Sequence, residues 1–442
     1  MGRKRRKPEA VIEALVRMAD QIADAMEASE DVLEEARRLY DQLPPEHEMH
    51  LFHRLVDAME VPAAEIGPAL DEARNALKSD AATWAEALAT LRRRLTSRLH
   101  LLLEKMADSP GGLRLLIGLR SDILSAQRRG ADGLEGFEGE IADLLTAWFR
   151  HGFLSLEEIT LHSPYQLIRY LKERELVHPM VSLEEMGRRL GHDRRCFGLF
   201  HCAMPDVPVV FIEVALTSGI PQHIDEIIGP SAGPAEARPD TAVFYSINNT
   251  QNGLAGLGLG KVLVYRVTEI LRRDNPDVKT YVTLSPIPGL WPRYLKPILE
   301  ERDTGFGLTA SRIEELFSVR SKELIVARAT ASAGGAPESF TGALLHVLSD
   351  PGWFDDPALV RALRKPLTEI AYIHVAKERD ARGRPLNPVA NFHLSNGAII
   401  PRRMVHFGAN TTRRGLEDSC GLMASYVYSQ QWSQALRRSL GL

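Results

Sequence analysis

The spacing of apolar residues changes once along this chain, near residue 155, and that change limits the folds open to it. From Glu9 to about Phe153 the apolar residues recur at three- and four-residue intervals, as in "VIEALVRMADQIADAM" and "WAEALATLRRRLTSRLHLLLEKM". This is the period of an amphipathic helix. Pro44-Pro45, Pro62 and "SPGG" at Ser109 to Gly112 punctuate the pattern. Beyond it, "CFGLFHC", "PVVFIEVALTSG", "TAVFYSIN" and "TYVTLS" are β-branched and aromatic runs bounded by turn residues, and these predict strands. "ANFHLSNGAII" and "SCGLMASYVYS" are expected as late strands. The expected fold class is α+β in two domains, a helical bundle over residues 1–154 and a mixed α/β domain over 155–442.

Composition narrows the function classes. A net charge of -4, with 25% charged and 44% hydrophobic residues, gives no overall drive toward nucleic acid or anionic membrane, so an anionic ligand would need a local site. The most apolar run, "VPVVFIEVAL", is too short for a membrane span and is interrupted by Glu213. The basic start "MGRKRRKPEA" is followed by no apolar segment and does not read as a secretory signal. Cys196, Cys202 and Cys420 are too few and too irregular for a disulfide framework, which suits a reducing, cytoplasmic setting. Cys196 and Cys202 flank His201, but neighbours on a strand point to opposite faces, so small buried cysteines are expected and no metal site. His47, His50 and His53 fall at i, i+3 and i+6, not at the i, i+4 spacing of a helical zinc pair. No metal is expected.

Three stretches carry chemistry. In "GLAGLGLGKVLV" a glycine-rich turn follows a strand and opens a helix, which exposes backbone N–H groups to a phosphate or pyrophosphate. A Walker A loop would need glycine at 255 and serine or threonine at 262, where Ala255 and Val262 stand, and the G-x-G-x-x-G dinucleotide spacing is absent. The strand-loop-helix is similar to the CoA pyrophosphate loop Q/R-x-x-G-x-G/A of GNAT acetyltransferases, with Gly258 and Gly260 matching and Ala255 at the polar first position. Glycines placed for close helix packing remain the alternative. In "TLSPIPGLWPRYL", Ser285 ends a strand that Pro286 terminates. It lacks the G-x-S-x-G elbow and the following N–H, so it reads as a hydrogen-bonding group and not an acylated nucleophile. In "NPVANFHLSNGAII", His393 is either a proton donor or acceptor near neutral pH or plain packing, and Asn391 and Asn396 could fix its tautomer or bind substrate.

Together "ITLHSPYQLI", "VHPM", "RRCFGLFHC", "VALTSGI", "FYSINNTQNGLAGLGLG", "TLSPIPGL", "NPVANFHLSNGA" and "SCGLMASYVY" resemble the malonyl-CoA decarboxylase family, over about Ile159 to Tyr428. The resemblance implies an N-terminal helical domain involved in oligomer contacts, a GNAT-like catalytic domain, and conversion of malonyl-CoA to acetyl-CoA and carbon dioxide. It places the active-site serine at Ser285, the histidine at His393 and a site tyrosine at Tyr428. The CoA-binding loop falls on Ala255, Gly256, Leu257, Gly258, Leu259, Gly260 and Lys261. Animal members carry an acid where this chain has Gly258. No cofactor is expected, since coenzyme A arrives as part of the substrate. The expected partners are malonyl-CoA, acetyl-CoA and further copies of the chain, as a dimer or tetramer. The alternatives are a GNAT-type acyl-CoA acyltransferase and a non-catalytic CoA-thioester sensor.

Loss of carbon dioxide from a malonyl thioester leaves an enolate. Its oxygen needs pre-placed donors in a dry site, and its carbon needs a proton. The expected roles are proton delivery by His393 and anchoring of the carboxylate by Ser285.

Overall fold

A computed structural model describes residues 7–25, 29–61, 63–180, 182–191, 193–229, 238–333, 335 and 337–429. The basic run at residues 1–6 lies outside them. From Pro8 to Trp148 the described chain is helical, in eight helices. Their apolar stripes are buried as the periodicity requires: the helix Pro8–Asp24 buries Val11, Ile12, Leu15, Val16, Ala19, Ile22 and Ala23. Two of these helices are capped by the polar residue before them: Asp80 accepts from the N–H groups of Ala82 and Thr83, and Ser97 from that of His100. Among the described residues no helix is long and apolar enough to cross a membrane.

Among the described residues nine strands follow: β1 (Leu154–Ile159), β2 (Arg194–His201), β3 (Val210–Thr217), β4 (Thr241–Asn249), β5 (Thr280–Thr283), β6 (Ser285–Pro286), β7 (Val405–His406), β8 (Met423–Ala424) and β9 (Val427–Tyr428). They form a six-stranded sheet in the order β1-β2-β3-β4-β5-β9 and a three-stranded sheet in the order β6-β8-β7. The expected helical-then-mixed α/β architecture is what folds. Periodicity misses β1, because only Leu154 and Ile159 of its six residues are buried, and the two-residue β7, too short to show a period. By internal contacts the chain divides into two units. One comprises Met1–Ser155, Leu199–Val210 and Asn249–Leu259, and the other Leu156–Gly198, Phe211–Asn248 and Gly260–Leu442.

Two expectations about local structure are corrected. "ANFHLSNGAII" is not a strand, for Pro388–Ser395 is an α-helix. Asn387 caps it by accepting from the N–H groups of Val389 and Ala390, proline occupies the first turn, and Gly397 follows the end with φ +83°. These start and stop signals outweigh the short apolar alternation. Nor does Pro286 end the pairing at Ser285. β5 pairs antiparallel with β9, Tyr281 opposite Tyr428, and β6 continues against β8 in the same register, Ser285 opposite Ala424 and Pro286 opposite Met423. β6 lies at the edge of its sheet, where proline's missing N–H costs no ladder bond.

The second unit also buries charge. Glu175 accepts from the N–H groups of Val177 (2.9 Å) and His178 (2.7 Å), from the Ser246 hydroxyl (2.6 Å) and from Asn248 Nδ2 (2.7 Å). Arg189 donates to the His178 carbonyl at 2.8 Å and to Glu213 at 3.4 Å. The polar residues of "VHPM" and "FYSIN" thus belong to one internal network that fixes the turn before β2. Burial, with the neighbouring Glu175 charge, pushes the Glu213 carboxyl up to about 8, against the pull of Arg189.

That shift has a sign for stability. In the unfolded chain a glutamate loses its proton near ~4.3, whereas folded Glu213 keeps it, so folding holds the extra proton and stability falls as pH rises between the two values. Thermal denaturation from pH 5 to pH 8 should show the melting temperature of the wild type dropping more steeply than that of Glu213→Gln. Parallel curves would mean that Glu213 ionises alike in both states.

Candidate active site

The common register of β5–β6 with β8–β9 decides which side chains share a face. Alternation along a strand places Tyr281, Thr283 and Ser285 on one side, and the residues opposite them, Tyr428, Tyr426 and Ala424, on the same side. Between the labelled strands the chains stay tied: the Thr283 N–H donates to the Tyr426 carbonyl at 2.9 Å, and the Tyr426 N–H donates to the Thr283 hydroxyl at 3.0 Å. Onto this polar, aromatic face the helix Pro388–Ser395 delivers His393.

The imidazole is held on every side. Nδ1 lies 2.8 Å from Tyr428 Oη and Nε2 lies 3.3 Å from Ser285 Oγ, and the Ser285 hydroxyl donates to Thr283 Oγ1 at 3.0 Å. One tautomer satisfies the whole chain: Tyr428 O–H donates to Nδ1, Nε2–H donates to Ser285, and Ser285 donates to Thr283. The Tyr426 ring stacks on the imidazole, centroids 4.6 Å apart at 25°, and Phe392 meets it edge-on at 5.0 Å. Ser285, His393 and Tyr428 are 6%, 5% and 3% exposed, so the row is nearly dry. Burial pushes the His393 imidazole down to about 3 and the Tyr428 phenol well above its usual range. At neutral pH both are uncharged.

The three residues singled out from sequence as the reacting set are therefore brought together. Asn391 and Asn396 do not fix the tautomer of His393, because Tyr428 and Ser285 occupy both ring nitrogens. Asn391 instead accepts from the Ser395 hydroxyl at 3.1 Å. The asparagine that matters to the geometry is Asn387, which sequence reading passed over. Besides capping the helix of His393, it donates through Nδ2 to the Pro288 carbonyl (3.3 Å) of the Ser285 loop and lies 3.2 Å from His374 Nε2. Burial, then the charge of Arg293, pushes His374 down to about 4, leaving Nε2 free of charge to accept from the amide. The signal for Asn387 was present, since asparagine before proline at the head of a helix is a capping pattern. Thr283 and Tyr426 left no such signal, because only the register puts them beside His393.

The glycine loop divides into two kinds of position. Ala255, Gly256 and Gly258 are exposed, and Gly256 and Gly258 have φ of +82° and +74°, a conformation that side chains resist. Leu257 and Lys261 are half-buried, and Leu259 and Gly260 are buried at the head of the helix Leu259–Asp274. Gly260 is a packing glycine: a Cβ there would come within 2.6 Å of the Phe392 ring, next to His393. Packing thus explains Gly260, as the alternative reading of these glycines has it, where an open loop explains Gly258. Of the cysteines, Cys196 and Cys420 are buried, but Cys202, expected inside, is exposed. Among the described residues no three His, Cys, Asp or Glu side chains are gathered as metal ligands would be.

Comparison with known proteins gives one consistent result. Residues 67–149 match the family model of the malonyl-CoA decarboxylase N-terminal domain, and residues 152–434 match that of the malonyl-CoA decarboxylase C-terminal domain. The chain is similar to the mitochondrial malonyl-CoA decarboxylase of Rattus norvegicus, 36% identical over 357 residues that cover 79% of this chain and 69% of that one. For the enzyme of Anser anser anser the identity is 35% over 340 residues, covering 76% and 64%. Among solved structures, malonyl-CoA decarboxylase from Rhodopseudomonas palustris superposes with a TM-score of 0.77 at 28% identity, covering 97% of this chain and 96% of that one. The one from Agrobacterium vitis gives 0.75 at 30%, covering 98% and 95%.

The two glycines at 258 and 260 should respond differently to the same substitution. Gly260→Ala forces a methyl against Phe392 and should destabilise by about 1–3 kcal/mol, lowering turnover as the neighbouring His393 shifts. Gly258→Ala meets open space and carries the left-handed backbone cost, about 1–2 kcal/mol, with kcat retained and the loss of activity confined to KM. Melting curves and steady-state kinetics of both proteins test this. Equal turnover in the two would remove Phe392 as the link between loop and histidine.

Proposed function

We propose roles for the individual side chains from one premise: the chain belongs to the malonyl-CoA decarboxylase family and converts malonyl-CoA to acetyl-CoA and carbon dioxide. The observation that carries the assignment is the buried row Thr283, Ser285, His393 and Tyr428, in which a serine hydroxyl and an imidazole edge meet at 3.3 Å in a nearly dry site.

Ser285 anchors the malonyl carboxylate. Its hydroxyl turns from Thr283 to donate to a carboxylate oxygen, holding the breaking bond across the plane of the thioester so that its electrons flow into the carbonyl. The incoming carboxylate also changes the histidine. A negative charge beside a neutral imidazole raises its proton affinity, so the complex takes up one proton and His393 becomes charged. Tyr428 accommodates this, because its hydroxyl can accept from Nδ1–H as readily as it donated to Nδ1. When carbon dioxide leaves, the pair of electrons remains as an enolate, and Nε2–H delivers its proton to the enolate carbon. The imidazole returns to the neutral form that its burial favours. Carboxylate and proton go in, and carbon dioxide and acetyl-CoA come out.

The exposed loop at Ala255 to Gly258 takes the CoA pyrophosphate on the N–H of Gly256 and its neighbours not bonded within the loop, with Lys261 following in the helix. Coenzyme A enters as part of the substrate, and the reaction as derived uses no further cofactor. The helical part joins copies of the chain into a dimer or tetramer. The three cysteines are unpaired in the structure, which supports a reducing, cytoplasmic setting.

Purified protein given malonyl-CoA, without an acyl acceptor or added cofactor, should release carbon dioxide and acetyl-CoA in equal amounts. In deuterated water one deuterium should enter the acetyl methyl group. His393→Asn should lower turnover on the order of 100-fold or more with a far smaller change in affinity. Ser285→Ala should also depress turnover, and mass spectrometry of the wild type trapped during turnover should find no acyl group on Ser285. A covalent adduct there, or near-normal turnover by His393→Asn, would overturn these roles.

A further inference from the structure

Arg120 is a buried arginine on the helix Gly112–Arg128, 5% exposed, and nothing in the reaction described above uses it. Its guanidinium donates through Nε to Glu138 Oε1 at 2.8 Å and pairs with the same oxygen through Nη2 at 2.6 Å. The remaining terminal nitrogen, Nη1, donates to two backbone carbonyls of the glycine loop, Gly253 at 2.5 Å and Ala255 at 2.9 Å. Glu138 thus orients the fork, and the fork grips the loop.

The grip has a directional consequence. A trans peptide is planar, and its C=O and N–H point in opposite directions. When Arg120 draws the Ala255 carbonyl inward, the N–H of Gly256, which belongs to the same peptide unit, is turned outward. The local turn, closed by the Leu257 N–H on the Leu254 carbonyl at 3.4 Å, is compatible with either sense. Gly256 sits at φ +82°, and a glycine takes positive and negative φ with similar ease, so the Ala255–Gly256 peptide could turn over at little steric cost. A second, independent contact shows that the same helix face is built against the loop. A Cβ on Gly253 would lie 1.9 Å from the carbonyl oxygen of Ile117, one turn before Arg120, so backbone meets backbone there.

We propose that Arg120 is a positioning residue for coenzyme A. By holding the Ala255 carbonyl inward, with the Gly253 carbonyl as a second anchor, it keeps the N–H of Gly256 turned out toward the pyrophosphate of the thioester substrate. It touches neither the substrate nor the reacting atoms, and it acts through the loop. The inference rests on the reading of that loop as the pyrophosphate site.

The test uses two substrates on the whole protein: malonyl-CoA, and S-malonyl-pantetheine, which carries the same thioester without the pyrophosphate. The readout is the ratio of their kcat/KM values. Wild type should favour malonyl-CoA. In Arg120→Gln the ratio should fall tenfold or more, through KM for malonyl-CoA. Arg120→Lys, which keeps a cation for Glu138 but not the fork, should lie between. An unchanged ratio in folded Arg120→Gln and Arg120→Lys overturns the inference, because a merely structural arginine would lower both substrates together. A wild-type ratio near one overturns instead the pyrophosphate reading of the loop, and the two failures are thus distinguishable. If Arg120→Gln does not fold, the ratio for Arg120→Lys decides alone.

Discussion

One antiparallel register, running from the Tyr281–Tyr428 pair to the Pro286–Met423 pair, is the constraint on which the site depends. It carries a polar, aromatic row of side chains, Thr283 and Ser285 from one chain segment and Tyr426 and Tyr428 from the other, on a single face. A slip of one residue would turn the whole row to the opposite side of the sheet. The helix bearing His393 then needs to supply one ring only, and Asn387 fixes that helix to the Ser285 loop through the Pro288 carbonyl. Of the three groups assigned to the reaction, Ser285 lies more than a hundred residues before His393 and Tyr428, yet each is set by backbone pairing or by a helix cap. Such supports are stiffer than a set of mutually hydrogen-bonded loops would be.

Dryness is the second condition, and it works in two directions. Burial keeps the imidazole of His393 and the phenol of Tyr428 neutral in the free protein. In the proposed reaction the same low-dielectric surroundings make the charge of an arriving carboxylate strongly felt, so that the substrate itself would bring the histidine to its charged form. A site of this kind stores no ion pair at rest and places its donors before the reaction begins. The buried Glu175, Arg189 and Glu213 network is built differently: Glu175 and Arg189 each bond to the backbone around His178, and the network holds the chain before β2 in place.

Much of the site was legible from the amino-acid order. Ser285 and His393 stood out as a strand-end serine and a histidine among amides, and Tyr428 followed from resemblance to a family. The glycine loop could be read as a strand-to-helix turn, but its glycines could not be separated into roles. Gly258 needs a backbone conformation, and that is a local property. Gly260 needs the space that Phe392 fills, and that partner lies more than a hundred residues away. The misread stretch around His393 shows a different limit: a short apolar alternation looked like a strand, although asparagine, proline and a following glycine had already marked the ends of a helix.

What the sequence determined by itself is what depends on near neighbours along the chain. Apolar spacing set the helical part and the mixed part, and turn residues set where most strands stop. Residue chemistry singled out a serine and a histidine, and resemblance to a family added a tyrosine. Tertiary structure alone decided which of these meet, which asparagine serves them, and that an arginine of the helical part grips the glycine loop. Those outcomes depend on strand register, on burial and on the directions of peptide planes, which arise from contacts between distant segments and have no period or motif in the sequence.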